Sequence, residues 1–91
     1  MEEIERQKSL HEKAKLIELK PVTSSNIGGI GYNQEHKLLK VAFKNKTGYT
    51  TYLYENVEPE LYNGICSAQS IGKALSENII RNKEKYKYIK L

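Results

Sequence analysis

Leu38-Leu39-Lys40-Val41-Ala42-Phe43, the turn Lys44-Asn45-Lys46-Thr47-Gly48 and Tyr49-Thr50-Thr51-Tyr52-Leu53-Tyr54 follow one another through the middle of the chain. Their alternation decides the fold. In the first segment Leu39, Val41 and Phe43 share one face and Leu38, Lys40, Ala42 and Lys44 the other, the two-residue period of a strand. The last segment is rich in Tyr and Thr, which suit a pleated surface. There Tyr52 and Tyr54 point one way with Thr50, and Tyr49, Thr51 and Leu53 point the other. Gly48 can take the positive φ that a tight turn requires. The two strands therefore form an antiparallel hairpin.

Upstream, Ile27 to Tyr32 reads as a glycine-rich strand, joined by the turn Asn33-Gln34-Glu35-His36. Short connections make the three strands a meander. Downstream, Pro59 opens a helix that runs to about Ala68, with Leu61, Ile65 and Ala68 along one side. Ser70 caps a second helix from Ile71 to Arg81, whose core stripe is Ile71, Leu75 and Ile79. Residues 86–91 can add an edge strand, where lysines discourage aggregation. Both strand faces carry apolar groups, so the second face also needs a cover: the helices, a helix of another copy, or a ligand.

Residues 2–19 read as a helix with Leu10, Ala14 and Ile17 as a short stripe, ended by Pro21; residues 16–19 are alternatively a short strand. The expected architecture is α+β: a three- to four-stranded antiparallel sheet with two helices on one face, plus an N-terminal helical extension. Residues 1–20 form that extension and residues 21–91 the compact domain. A thin core favours a homo-oligomer, with the N-terminal helix mediating self-association.

Composition narrows the function. The chain has 91 residues, 38% of them hydrophobic and 29% charged, which suits one soluble globular domain rather than a disordered chain. The absence of a long apolar run points to a cytoplasmic protein with no membrane partner. One cysteine excludes an internal disulfide and a multi-thiolate metal site. Cys66 reads as a small buried hydrophobe. Two histidines and no aspartate offer little for triad or metal chemistry, so we expect no catalytic residues, no metal and no cofactor. The net charge is +4, and residues 73–91 hold all of it: Lys73, Arg81, Lys83, Lys85, Lys87 and Lys90 against Glu77 and Glu84. A localised basic end suggests an anionic partner.

The ordered set Val22-x-Ser24-Ser25-x-Ile27, Ile30-Gly31-Tyr32, Leu39-x-Val41-x-Phe43 and Tyr52-x-Tyr54 resembles the KTSC domain. So does its continuation through Asn56-Val57, Pro59, Tyr62, Ala68-x-Ser70-x-Gly72, Asn78 and Ile80-Arg81. That family is named for the C-terminal region of some lysyl-tRNA synthetases and also occurs as small bacterial and phage proteins. The resemblance covers about residues 20–91 and implies an RNA-binding module. This chain departs from the family pattern at Asn33, where an aspartate is usual, and at Glu58, which separates Val57 from Pro59. It also has Lys73-Ala74-Leu75 where an aromatic commonly follows the Ser-x-Gly element.

The functional expectation is a non-catalytic binder of RNA or a small, even cyclic, nucleotide. Tyr52 and Tyr54 would stack on bases, with Lys40 on the neighbouring strand. Arg81 and Lys83, past a helix end, would contact phosphate, and Asn78 a base or ribose. Ser24, Ser25 and Asn26 with Gly28, Gly29 and Gly31 resemble a phosphate cradle in composition; Ser25 is the contact expected from it. Each assignment has a structural alternative. The tyrosine row can pack under the helices with its hydroxyls at the rim. The glycines can mark a bulge, and the basic residues can answer a helix dipole. Two other functions compete: an oligomeric phage-type scavenger that sequesters a nucleotide immune signal, and a protein–protein assembly module.

Overall fold

The computed structural model describes residues 2–22, 24–82 and 84–91. The described elements are α1 (Glu2–Lys15), β1 (Lys20–Pro21), β2 (Ile27–Asn33), β3 (Leu38–Asn45), β4 (Gly48–Tyr54), α2 (Pro59–Ser67), α3 (Ile71–Leu75), a π-helical turn (Ser76–Ile80) and β5 (Tyr88–Lys90). The strands form one antiparallel sheet in the order β1-β2-β3-β4-β5, a meander throughout.

The β3–β4 hairpin sets the register. Asn45 stands opposite Gly48, and the Asn45 Oδ1 accepts the Thr47 amide at 3.0 Å, closing a two-residue loop. Gly48 has φ +140°, the freedom its position requires. From there Lys40 faces Leu53, Val41 faces Tyr52 and Leu39 faces Tyr54. Directly opposed residues share a sheet face. Leu39, Val41 and Phe43 therefore lie with Tyr52 and Tyr54, and Lys40 lies on the opposite face with Leu38 and Leu53.

In β2 the ladder slips by one residue between Ile27 and Gly29. The bulge at Gly28 changes the parity of the strand, so Ile27, Ile30 and Tyr32 all point toward one core. A side chain at Gly28 would strike the Tyr49 ring at 2.2 Å. Gly31 lies under the crossing segment, where an added Cβ would meet the Glu18 carbonyl oxygen at 2.3 Å. These glycines serve close packing within the sheet.

The larger core lies between the Leu39–Val41 face and the C-terminal helices. Ile27, Ile30, Leu39, Val41, Val57, Ile65, Leu75 and Ile79 are all but fully buried there. Pro59 occupies the first turn of α2, and the Ser70 Oγ caps α3 by accepting the Lys73 amide at 3.2 Å. The second helix departs from the expected continuous α-helix over 71–81. After Leu75 it widens, and the Arg81 amide bonds the Ser76 carbonyl five residues back. The Asn78 side chain donates to the Ala74 carbonyl at 2.8 Å, and the Asn82 side chain to the Asn78 carbonyl at 2.9 Å. Asparagine side chains take carbonyls that the α ladder would otherwise use.

The remaining differences concern the ends. The sheet has five strands among the described residues, not three or four. β5 is the edge strand expected within residues 86–91, whereas β1, at two residues, is too short to show a period. α1 ends at Lys15, and the next strand begins at Lys20 rather than within 16–19. Most consequentially, α1 covers the second face of its own sheet. Leu10, Ala14 and Ile17 are buried with Leu38 and Leu53, and Ile89 and Leu91 pack alongside. Arg6 pairs with Glu55. The Lys40 Nζ donates to the Ala14 and Ile17 carbonyls at 3.0 and 3.2 Å, holding the end of α1 and the segment after it. The open sheet face was the reason to expect a homo-oligomer, and α1 fills that face within one chain.

Candidate functional site: an aromatic cleft beside a serine-lined cleft

Phe43, Tyr52, Tyr54, Ile79, Ile80, Tyr86 and Tyr88 line a cleft of about 280 Å³ where β4 and β5 meet the π-helical turn. Alternation on β4 brings Tyr52 and Tyr54 there, and Tyr88 stands directly opposite Tyr54. Tyr52 is the hub. Its ring lies edge-on to Phe43 at 5.7 Å and to Tyr88 at 5.6 Å, and 6.5 Å from Tyr54. Tyr54 lies 5.8 Å from Tyr88. Burial, with Tyr52 and Tyr88 beside it, pushes the Tyr54 phenol up to about 12. Tyr54 is only 6% exposed and forms wall and core rather than an open platform, whereas Tyr88 is 46% exposed at the rim. A pocket this size accepts one flat ring system, not a row of stacked bases.

The rim is basic. Lys90 is directly opposite Tyr52, and Lys85 sits over the Tyr86 ring at 5.4 Å. Both are exposed.

On the other side of that turn, Ser24, Ser25, Asn26, Ser70, Gly72, Lys73, Ser76, Glu77 and Arg81 surround a polar cleft of about 330 Å³. The loop before β2 is shaped by the Ser24 Oγ, which accepts the amides of Asn26 and Ile27 at 3.3 Å each. The Lys44 Nζ donates to the Ser24 carbonyl at 2.8 Å. A Cβ on Gly72 would stand 3.4 Å from the Ser24 Oγ, so the small residue lets the loop sit close to α3.

The structure thus brings together Tyr52 and Tyr54 in one cleft, and Ser25 and Arg81 in the next. It does not bring Lys40 to either; the sheet separates its ammonium from both tyrosines. Asn78 lines neither cleft, and its amide is engaged by Ala74 O. Lys83 falls outside the described residues. Cys66, read from the sequence as buried, is exposed. It contacts Tyr62 through a side-chain hydrogen bond, and burial together with that bond raises the Tyr62 phenol to about 12. Tyr62 stacks on Tyr32 at 4.5 Å, and the Tyr32 hydroxyl donates to the Val57 carbonyl, an internal clamp away from both clefts. Burial, followed by Glu58 and Glu60, raises the Tyr32 phenol as well.

Sequence reasoning missed Phe43, Tyr86 and Tyr88 as cleft residues. The available signal was the Tyr86-x-Tyr88 spacing, which repeats that of Tyr52-x-Tyr54. Among the described residues no cluster of His, Cys, Asp or Glu can hold a metal, and no helix is long and apolar enough to cross a membrane.

Comparison with known proteins agrees with this fold. A protein of Tsukamurella paurometabola is 38% identical over 55 residues, covering 60% of this chain and 78% of that one. A crystal structure of a KTSC domain protein from Yersinia pestis superposes with a TM-score of 0.68 at 29% identity, covering 82% of this chain and 97% of that one. The sequence profile of the KTSC domain matches residues 23–88, from the loop of the serine-lined cleft to the outer tyrosine of the aromatic one, and the chain therefore belongs to the KTSC domain family.

Proposed function

We propose that this protein is a non-catalytic binding module that holds a single nucleobase, from RNA or from a small nucleotide, in the aromatic cleft. The observation that supports this most is the cleft itself: five aromatic rings and two isoleucines line it, with Lys85 over the Tyr86 ring and Lys90 opposite Tyr52. Every base has a π-face that can pack against such walls, and the phosphate attached to it meets the cations at the rim. The π-helical turn that forms one wall also supports the reading, because such bulges occur often at functional sites. The cleft's size favours one base over a run of bases. A free nucleotide, or one base splayed from an RNA, fits better than an extended strand laid along the sheet. Binding without catalysis would sequester such a ligand intact.

Tyr88→Ala is the decisive variant, since Tyr88 stands at the rim and outside the buried core. Titration calorimetry with nucleoside monophosphates and short single-stranded RNA, on wild type and variant, tests the reading. Stacking of one base contributes about 1–3 kcal/mol, so affinity should fall about 5- to 150-fold. Absence of binding by any nucleotide or RNA, or equal affinity in Tyr88→Ala, would refute it. Salt dependence separates the ligands: RNA spanning several phosphates gives a steep decline with salt, a mononucleotide a shallow one.

A further inference from the structure

We infer that the serine-lined cleft is a phosphate site, so that the preferred ligand carries a phosphate ester bridging from the base in the aromatic cleft across the π-helical turn. This rests on the function proposed above and adds the second half of the ligand. The first support is a count of donors. A hydroxyl has one O–H to give and two lone pairs to accept with. The Ser24 Oγ already accepts two backbone amides, and the Ser70 Oγ accepts one. With their acceptor capacity directed at the backbone, their hydroxyl hydrogens remain for another partner. Ser25 and Ser76 add two more hydroxyls, and the Arg81 guanidinium adds a fork suited to two phosphate oxygens.

Charge is the second support. Lys73 and Arg81 outnumber Glu77, the acid in the lining, which leaves the cleft modestly positive. Neutral hydroxyls beside Glu77 suit a phosphate ester held by several donors better than a bare multivalent anion held by charge alone. Geometry is the third. Ile79 and Ile80 of the turn face the aromatic cleft, while Ser76, Glu77 and Arg81 line the polar one. The turn stands between the two sites, and a helix with its side chains is about 10–12 Å across. That is the reach of one nucleoside with its phosphate, and it selects a nucleoside phosphate or the phosphorylated end of a chain over a bare nucleoside.

The test compares the four common nucleosides with their monophosphates on wild type and on Arg81→Gln and Ser25→Ala, both exposed positions whose change spares the core. Inorganic phosphate is titrated in parallel, followed by backbone amide NMR. The expected result is at least tenfold tighter binding of a monophosphate than of its nucleoside. That gap should narrow several-fold in each variant, with phosphate alone shifting the amides of Ser24, Ser25, Asn26 and Lys73. Equal affinity for nucleoside and monophosphate overturns this inference and leaves the base-binding function standing. So does a gap that Arg81→Gln leaves unchanged. Phosphate shifts at the serine cleft with neither nucleosides nor monophosphates bound would overturn the bridging ligand and the base-binding function together, while retaining the anion site.

Discussion

Replacing Lys40 with Met separates its structural role from the ligand contact its sequence position suggested. The methionine keeps most of the apolar stem and removes the ammonium. Two hydrogen bonds disappear, to the Ala14 and Ile17 carbonyls at 3.0 and 3.2 Å. A hydrogen bond to a charged group contributes about 1.5–3 kcal/mol. The loss is less than twice that, because the Ala14 carbonyl keeps its bond from the Ile17 amide at 3.1 Å and the site is only half-buried. The Ile17 carbonyl and the end of α1 bear the main effect, and we expect about 2 kcal/mol in all. A domain of this length has about 5–14 kcal/mol of total stability, so the change is large. At about 4–8 °C per kcal/mol, the melting temperature should fall by about 8–16 °C. Urea titration followed by circular dichroism measures the stability, and calorimetry measures nucleotide affinity under conditions where the variant is folded. Affinity should not change, because Lys40 and Tyr52 lie on opposite sides of the sheet. A stability loss below about 0.5 kcal/mol, well under one charged hydrogen bond, would show that Lys40 does not hold α1. A tenfold fall in affinity at unchanged stability would place it at the ligand instead.

Two glycines should respond to Ala with opposite sign. Gly31→Ala drives a Cβ into the Glu18 carbonyl and should cost about 3 kcal/mol, whereas Gly64→Ala, with open space around it inside α2, should stabilise by about 0.5–1 kcal/mol; denaturant midpoints check both. Alkaline pH should unfold the protein. Tyr54 and Tyr62 hold their protons to about 12 when folded, against about 10 in the unfolded chain. Their contribution is therefore intact below pH of about 10 and is lost as pH rises toward 12. Phenolate absorbance recorded alongside circular dichroism should show this ionisation coinciding with unfolding, and two phenols titrating well before any structural change would refute the assignment.

The parts of the fold legible in the sequence were those in which a local signal and a tertiary contact agree. The alternation placed Leu38 to Lys44 and Tyr49 to Tyr54 on the correct sides of their strands, although the strands run on through Asn45 and Gly48, which the sequence reading assigned to the turn. Pro59 and Ser70 marked where α2 and α3 begin. The relation of Lys40 to the tyrosines was not legible, because a turn read as Lys44 to Gly48 leaves the register open. Asn45 opposite Gly48 fixes Lys40 opposite Leu53 and Val41 opposite Tyr52. What no local pattern could reveal was the reversal of parity at the Gly28 bulge and the passage of residue 18 over Gly31. Both depend on one piece of backbone lying against another. The same holds for the clefts. Ser25 and Arg81 are distant in sequence and meet only because the loop before β2 sits on α3. Tyr88 lies in the edge strand expected over residues 86–91, but its place in the cleft depends on the pairing of β5 with β4.

The small core under α1 has a consequence for how the chain is made. It joins Leu10, Ala14 and Ile17 to Leu53, and then to Ile89 and Leu91. During synthesis, α1 emerges well before Ile89 and Leu91, the last residues of the surface it covers. Its apolar stripe must wait, uncovered or only partly covered, while some seventy residues are added, which at bacterial elongation speeds is about 4–14 s. Contacts that span so much of the chain also form late because of the loop they must close. The helix that shields the finished sheet is therefore, for a few seconds in each molecule's life, the segment most in need of a chaperone.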